Sequence, residues 1–119
     1  MDAIQEKARE VGRLVAQTDE LKALKQANQR LNDDREVVTK LNRLEDLQAS
    51  LARALQSGSE PSQEEQKEYQ EIVEDLQGRS VYQGVIAAQA NFEKLMGRVN
   101  QEIASGIEAG EKSRIILAQ

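Results

Sequence analysis

The densest concentration of groups able to do chemistry is acidic: Glu64, Glu65, Glu68, Glu71, Glu74 and Asp75 lie close together. Carboxylates at helical spacing can hold a di-metal centre. Such centres, however, take a Glu-x-x-His pair from each of two helices, and this chain has no histidine. The absence of cysteine removes a thiolate metal site, a cysteine nucleophile and a disulfide framework together. No EF-hand spacing, phosphate-binding glycine loop or nucleophile elbow occurs, and the seven glycines are scattered. The acidic run therefore reads as the solvated face of a helix, with a docking surface for a basic partner as its alternative. These residue types assign no catalytic residue, metal or cofactor, and the chain reads as a binding protein rather than an enzyme.

The feature with the most information is a stripe. From Ser80 to Gly110, Val81, Val85, Ala88, Phe92, Met96, Val99, Ile103 and Ile107 recur at spacings of three and four, the pattern of an amphipathic helix built to pack against other helices. Small residues Gly84, Ala87, Ala88, Ala90 and Gly97 permit close helix approach, and a tight contact is the expected compensation for glycine inside a helix. Gln89 in this stripe and Gln48 in the preceding long helix either fix register at a seam or sit in water at the stripe's edge. Tyr69 and Tyr82 read as packing residues with wet hydroxyls. The candidate interface is Tyr82, Gly84, Val85, Ala88, Gln89, Phe92, Met96 and Val99, and Phe92, the single phenylalanine, is expected to anchor either the core or the dimer seam.

Composition agrees with a narrow core. Of the 119 residues 39% are hydrophobic, 3% aromatic and 31% charged, which suits a thin bundle of Leu, Ile, Val and Ala. The net charge of −5 is confined: residues 59–76 carry seven acids and one base, whereas the flanking stretches are close to balanced. The basic groupings Lys22/Lys25 and Lys112/Arg114 are too small for a nucleic-acid surface. No run approaches the roughly 18 apolar residues of a membrane span, and the first residues lack the basic and apolar regions of a signal peptide. A cytoplasmic protein without direct nucleic-acid or membrane contact is expected.

The elements that carry the stripe follow from caps and breaks. A first helix is expected over about 2–17 with Ile4, Ala8, Val11, Leu14 and Val15 on one face. Thr18 then caps a second helix, or a kinked continuation, bearing Leu21, Leu24 and Leu31. Asn32-Asp33-Asp34 precedes a long leucine-rich helix ending near Gly58, and Ser57-Gly58-Ser59-Glu60-Pro61 is the best turn in the chain. Ser62 with Glu65, and Ser80 with Gln83, form capping-box patterns that start a short acidic helix and the final one. The acidic helix, with only Tyr69, Ile72, Val73 and Leu76 on its apolar face, is expected to be peripheral. Gly110 is expected to end the last helix, leaving 1–110 as a single helical domain and 111–119 as a tail. The fold class is all-α, an elongated bundle of four to five helices with a long C-terminal helix, part of which protrudes or dimerises.

This order of elements, closing on a final helix with Val81, Tyr82, Ala88, Gln89, Phe92, Leu95, Val99, Asn100 and Ile103 in register, resembles the YlbF/YmcA family of bacterial regulators over residues 3–107. The resemblance implies a small cytoplasmic all-α protein, dimeric or higher, acting as a non-enzymatic adaptor in competence, sporulation and biofilm decisions. It also implies, for some members, partnership with an RNA-processing endonuclease complex. Certain members bind iron–sulfur clusters through cysteines, a property that does not carry over to a cysteine-free chain. The expected function is a regulatory adaptor working through helix-mediated protein–protein binding, as a homodimer or higher oligomer that also takes a heterologous regulatory partner. The alternatives are a purely structural oligomerisation module and a holdase-like helical chaperone.

Overall fold

Three side-chain caps divide the first four helices. Thr18 Oγ1 accepts from the Leu21 amide at 3.3 Å and donates to the Val15 carbonyl at 2.7 Å, so Gln17 and Thr18 form a short hinge between α1 (Asp2–Ala16) and α2 (Asp19–Asp33). Asp34 does two jobs at once. Its extended backbone breaks the helix, its amide donates to the Leu31 carbonyl at 3.0 Å, and its carboxylate accepts from Val37 N at 3.2 Å, which starts α3 (Arg35–Gln56) one residue later. Gly58, at φ +74°, takes the left-handed conformation that ends α3. There Gly58 and Ser59 donate to the Leu55 and Ala54 carbonyls, a pairing that satisfies two orphan acceptors of the last turn. Ser62 caps α4 (Gln63–Gln77) through the Glu65 amide at 3.4 Å.

The computed structural model describes the backbone of residues 2–118 and the side chains of residues 2–112. Five helices and no strand occur among the described residues, the all-α architecture that the sequence pattern indicates. The last helix, α5 (Ser80–Ala118), differs from expectation at both ends. Ser80 is already helical, and the Gln83 amide nitrogen Nε2 donates to the Gln77 carbonyl at 2.7 Å instead of completing a capping box with Ser80. The helix also runs through Gly110, because a lone exposed glycine lowers helix stability by only about 1 kcal/mol, no proline follows it and, among the described residues, no positive φ does. Ile115, Ile116 and Leu117 fall outside the side chains described.

Two antiparallel pairs make the body. In the first, α2 lies along α5, with Glu20 near Arg98 at 3.7 Å at one end and Val81 beside Arg30 and Asp33 at the other. In the second, α3 returns as α4, tied by a two-pronged Arg43–Glu68 pair at 2.7 and 2.8 Å and by Gln48 donating to the Tyr69 hydroxyl at 3.3 Å. Among the described residues the fully buried side chains are Val37, Leu47 and Leu76, all in the second pair, with Ala88 of α5 close behind. Leu76 corrects the reading of α4 as peripheral: a short apolar face suffices once a neighbouring helix closes over it. Gln48 and Gln89 are both exposed within the chain, on the wet side of their stripes.

At about 1.5 Å per residue the 39-residue α5 is about 58 Å long, whereas α2, with 15 residues, covers only about 22 Å of it. The mismatch sets the molecule's elongation, 69 × 38 × 24 Å. From Asn100 to Lys112 every residue of α5 is exposed.

Candidate functional site: an apolar trough between α1 and α5

Because the hinge at Gln17–Thr18 carries α1 away from α2, α1 packs on its neighbours only lightly and has no buried residue. It faces α5 across an open trough of about 700 Å³. One wall is the α1 stripe of Ile4, Ala8, Val11 and Val15, and the other is Phe92, Met96, Val99 and Ile103 of α5. Among the described residues that line it, Lys7 is the single charged group and Asn100 the single polar one, so the site offers shape and apolar surface and almost no directed hydrogen bonding. Ile4 is 67% exposed and Ile103 55%, values that leave most of each side chain in water. A concave, largely apolar surface bounded by two helices is suited to taking the apolar face of a third.

The eight candidate interface residues separate into three groups. Phe92, Met96 and Val99 line the trough. Tyr82 and Val85 are half-buried nearer the start of α5, and Ala88 is buried within the chain. Gly84 and Gln89 lie on the exposed side, and a Cβ placed at Gly84 or Gly97 meets no atom within 4 Å, so no helix of the same chain uses either glycine for close approach. Sequence reasoning missed the opposite wall. The α1 stripe was legible as an apolar face, but nothing in its spacing tells which helix it meets. A usable signal was present at Ile103 and Ile107, which extend the α5 stripe beyond the length that the short α2 can cover.

A second cluster sits at the joint of the two helix pairs and is electrostatic. Arg79 donates to Glu36 at 2.6 Å and to Asp75 at 2.8 Å, and Lys40 donates to Asp75 as well, linking α3, α4 and the start of α5. The hydrogen bond and charge of Arg79 hold the Glu36 carboxyl below its ordinary range; Lys40 and then Arg79 do the same for Asp75. Arg79 is held firmly protonated by both acids. The Arg43–Glu68 pair shows the same pattern, Glu68 lowered and Arg43 raised by their mutual hydrogen bonds. These groups are paired with one another, so they orient the helices and present no free acid or base for chemistry. Among the described residues no three acidic, His or Cys side chains converge as a metal site, and no helix is long and apolar enough to cross a membrane.

Comparison with known proteins places the chain in a family. A model described as control of competence regulator ComK, YlbF/YmcA, matches residues 4–108, from Ile4 on the α1 wall to just past Ile107. The chain is similar to a UPF0342 protein of Limosilactobacillus fermentum, 28% identical over 105 residues that make up 88% of each chain. It is also similar to a UPF0342 protein of Limosilactobacillus reuteri, 23% identical over 88% of this chain and 85% of that one. With five helices in the order described and a family match spanning both walls of the trough, the chain belongs to the YlbF/YmcA family of competence-control regulators.

Proposed function

We propose that the chain is a non-enzymatic, cytoplasmic adaptor of the competence-control class that works by docking an amphipathic helix into the trough between α1 and α5. The observation that carries the reading is the trough itself: two apolar helix faces held apart and left open at Ile4, Val11, Phe92, Met96 and Ile103. Family membership supports a regulatory role, and the lining chemistry supports a partner with apolar residues at i, i+3 or i+4, and i+7. The candidate interface narrows accordingly to Phe92, Met96 and Val99, joined by the α1 wall.

A photo-crosslinking side chain at Val11 or Ile103, introduced in the source cell, tests this against one at the exposed Glu45 on α3. A discrete heterologous adduct from the two trough positions and none from Glu45 is the expected result. Adducts to the chain itself alone would reduce it to a structural oligomerisation module. A broad ladder of clients, with aggregation suppressed by substoichiometric protein, would make it a holdase.

A further inference from the structure

We infer that the trough is a binding site for a free long-chain fatty acid, its carboxylate beside Lys7 and Asn100 and its acyl tail running inward to Val15, Phe92 and Met96. The site goes beyond the docking of a partner helix; its regulatory consequence, competition with that helix, rests on the helix-docking reading.

The trough has two unlike ends. The hinge end of α1 leads into Asp19 and Glu20, which lie with Asn91, Lys94 and Arg98, whereas Val11 lies with Arg98, Val99 and Ile103, so α1 runs in the opposite sense to α5. Lys7, one turn nearer the start of α1 than Val11, therefore falls at the same outer end as Asn100 and Ile103. The two polar groups of the lining share that end, and both are exposed. At the inner end Val15, Phe92 and Met96 are half-buried and apolar. Polarity sorted by end is the pattern of a single-chain amphiphile, head outward and tail inward. An amphipathic helix sorts its polar groups by face, so a docked helix leaves this division unexplained.

Length and lining agree. The two walls, Ile4 to Val15 and Phe92 to Ile103, each span about 17 Å. A carbon chain with bonds of about 1.5 Å advances about 1.25 Å per bond when extended, so about 14 carbons reach from one end to the other. The volume of about 700 Å³ is that of a small-molecule site, where walls are mostly apolar and a few polar groups set the orientation. Aliphatic side chains and the unbranched Met96 adapt to a flexible tail. Charge selects the head group. Among the described residues that line the trough Lys7 is the one charged group and none is acidic. Glu10 approaches Lys7 at 3.6 Å, but both side chains stand mostly in water, a pairing weak enough for a ligand carboxylate to replace. The Asn100 amide offers a hydrogen-bond donor at the same end. A tail lying along Phe92 and Met96 takes the space of a partner helix, so ligand and helix exclude each other.

Calorimetric titration of myristate, below its micelle concentration, into the purified full chain should show saturable binding with a Kd on the order of 100 μM, the strength of a myristoyl chain at a membrane. Tetradecyltrimethylammonium, the same tail under a cationic head, should bind about fivefold more weakly; Lys7→Glu should reverse that preference, and Glu10→Gln should tighten myristate about twofold. Helicity should be retained in both variants, because Lys7 and Glu10 are exposed. Myristate carrying a nitroxide near its carboxyl end should broaden the amide signals of Lys7 and Asn100, and one near its methyl end those of Val15 and Phe92. No saturable binding, no preference between the anionic and cationic heads, or broadening at the opposite ends overturns the inference. So does binding to phosphatidylglycerol vesicles with none to free myristate, which would make the face a membrane surface. Saturating myristate should also abolish the heterologous adducts at Val11 and Ile103, and undiminished adducts overturn the competition. Myristate bound as described with no heterologous adduct in its absence would remove the adaptor reading and leave the ligand site standing; adducts without myristate binding would do the reverse.

Discussion

The α3–α4 pair and the α1–α5 pair use the same materials to opposite ends. Both set an apolar stripe of one helix facing that of another. In the first, Val37, Leu47 and Leu76 are sealed and the rim is stitched by Arg43–Glu68, Lys40–Asp75 and Arg79–Glu36. In the second, isoleucines stand largely in water and, among the described residues, no ion pair bridges the two helices. A helix pair that satisfies itself inside one chain needs nothing further. A pair held open by a hinge, with no ion pair across it among the described residues and its isoleucines largely in water, is the surface where binding free energy remains to be gained.

Substitution of buried leucine should show the contrast most strongly. Leu47→Ala or Leu76→Ala should lower stability by about 2–5 kcal/mol in urea or guanidinium unfolding, whereas Ile103→Ala in the monomer should change it by less than about 1 kcal/mol. Equal losses at Leu47 and Ile103, measured where the chain is monomeric, would mean that the two pairs are equally closed. Phe92→Ala should fall between them. A half-buried phenylalanine on the trough wall should cost about 2 kcal/mol, below the 3–5 of a sealed one, and the loss should grow with protein concentration as the wall gains a partner.

Local opening should rank the helices in the same order. Amide exchange should be fastest in α1, which has no buried residue, and slower in α4, which holds Leu76 against α3. Protection of α1 equal to that of α4 in dilute solution would show that the trough is closed within the monomer.

Acid should produce the smallest effect, and only in the stitched pair. Glu36, Glu68 and Asp75 have native pKa values held below their unfolded ones, so their stabilisation is complete above the ordinary carboxylate range and is lost as pH falls through the lowered native values. The rim groups are solvent-exposed, so the change should be modest and should shrink in high salt. Unfolding measured from pH 6 down to pH 3 should lose part of its slope in Asp75→Asn. An unchanged slope would remove the network from the account of how the joint is held.

The helices were legible because their signals are local. Thr18, Asp34 and Ser62 reach only three residues along the chain, Gly58 needs only its own φ, and a stripe at spacings of three and four is complete within one helix. The same locality explains what was misread. Ser80 looks like a cap, yet the helix begins with it, and Gly110 looks like a stop, yet nothing after it obliges the helix to end. α4 seemed peripheral because the strength of a short apolar face depends on what covers it. By itself the sequence determined that the chain is all-α, that it carries an apolar stripe on its last helix and that it lacks the histidine and cysteine of the metal and nucleophile chemistries considered. Tertiary structure alone decided which stripes are sealed and which stay open. Partners such as Glu36 and Arg79, or Ile4 and Phe92, lie far apart along the chain, and only the angles set at the Gln17–Thr18 hinge and the Asp34 corner bring one pair into contact and hold the other across a trough.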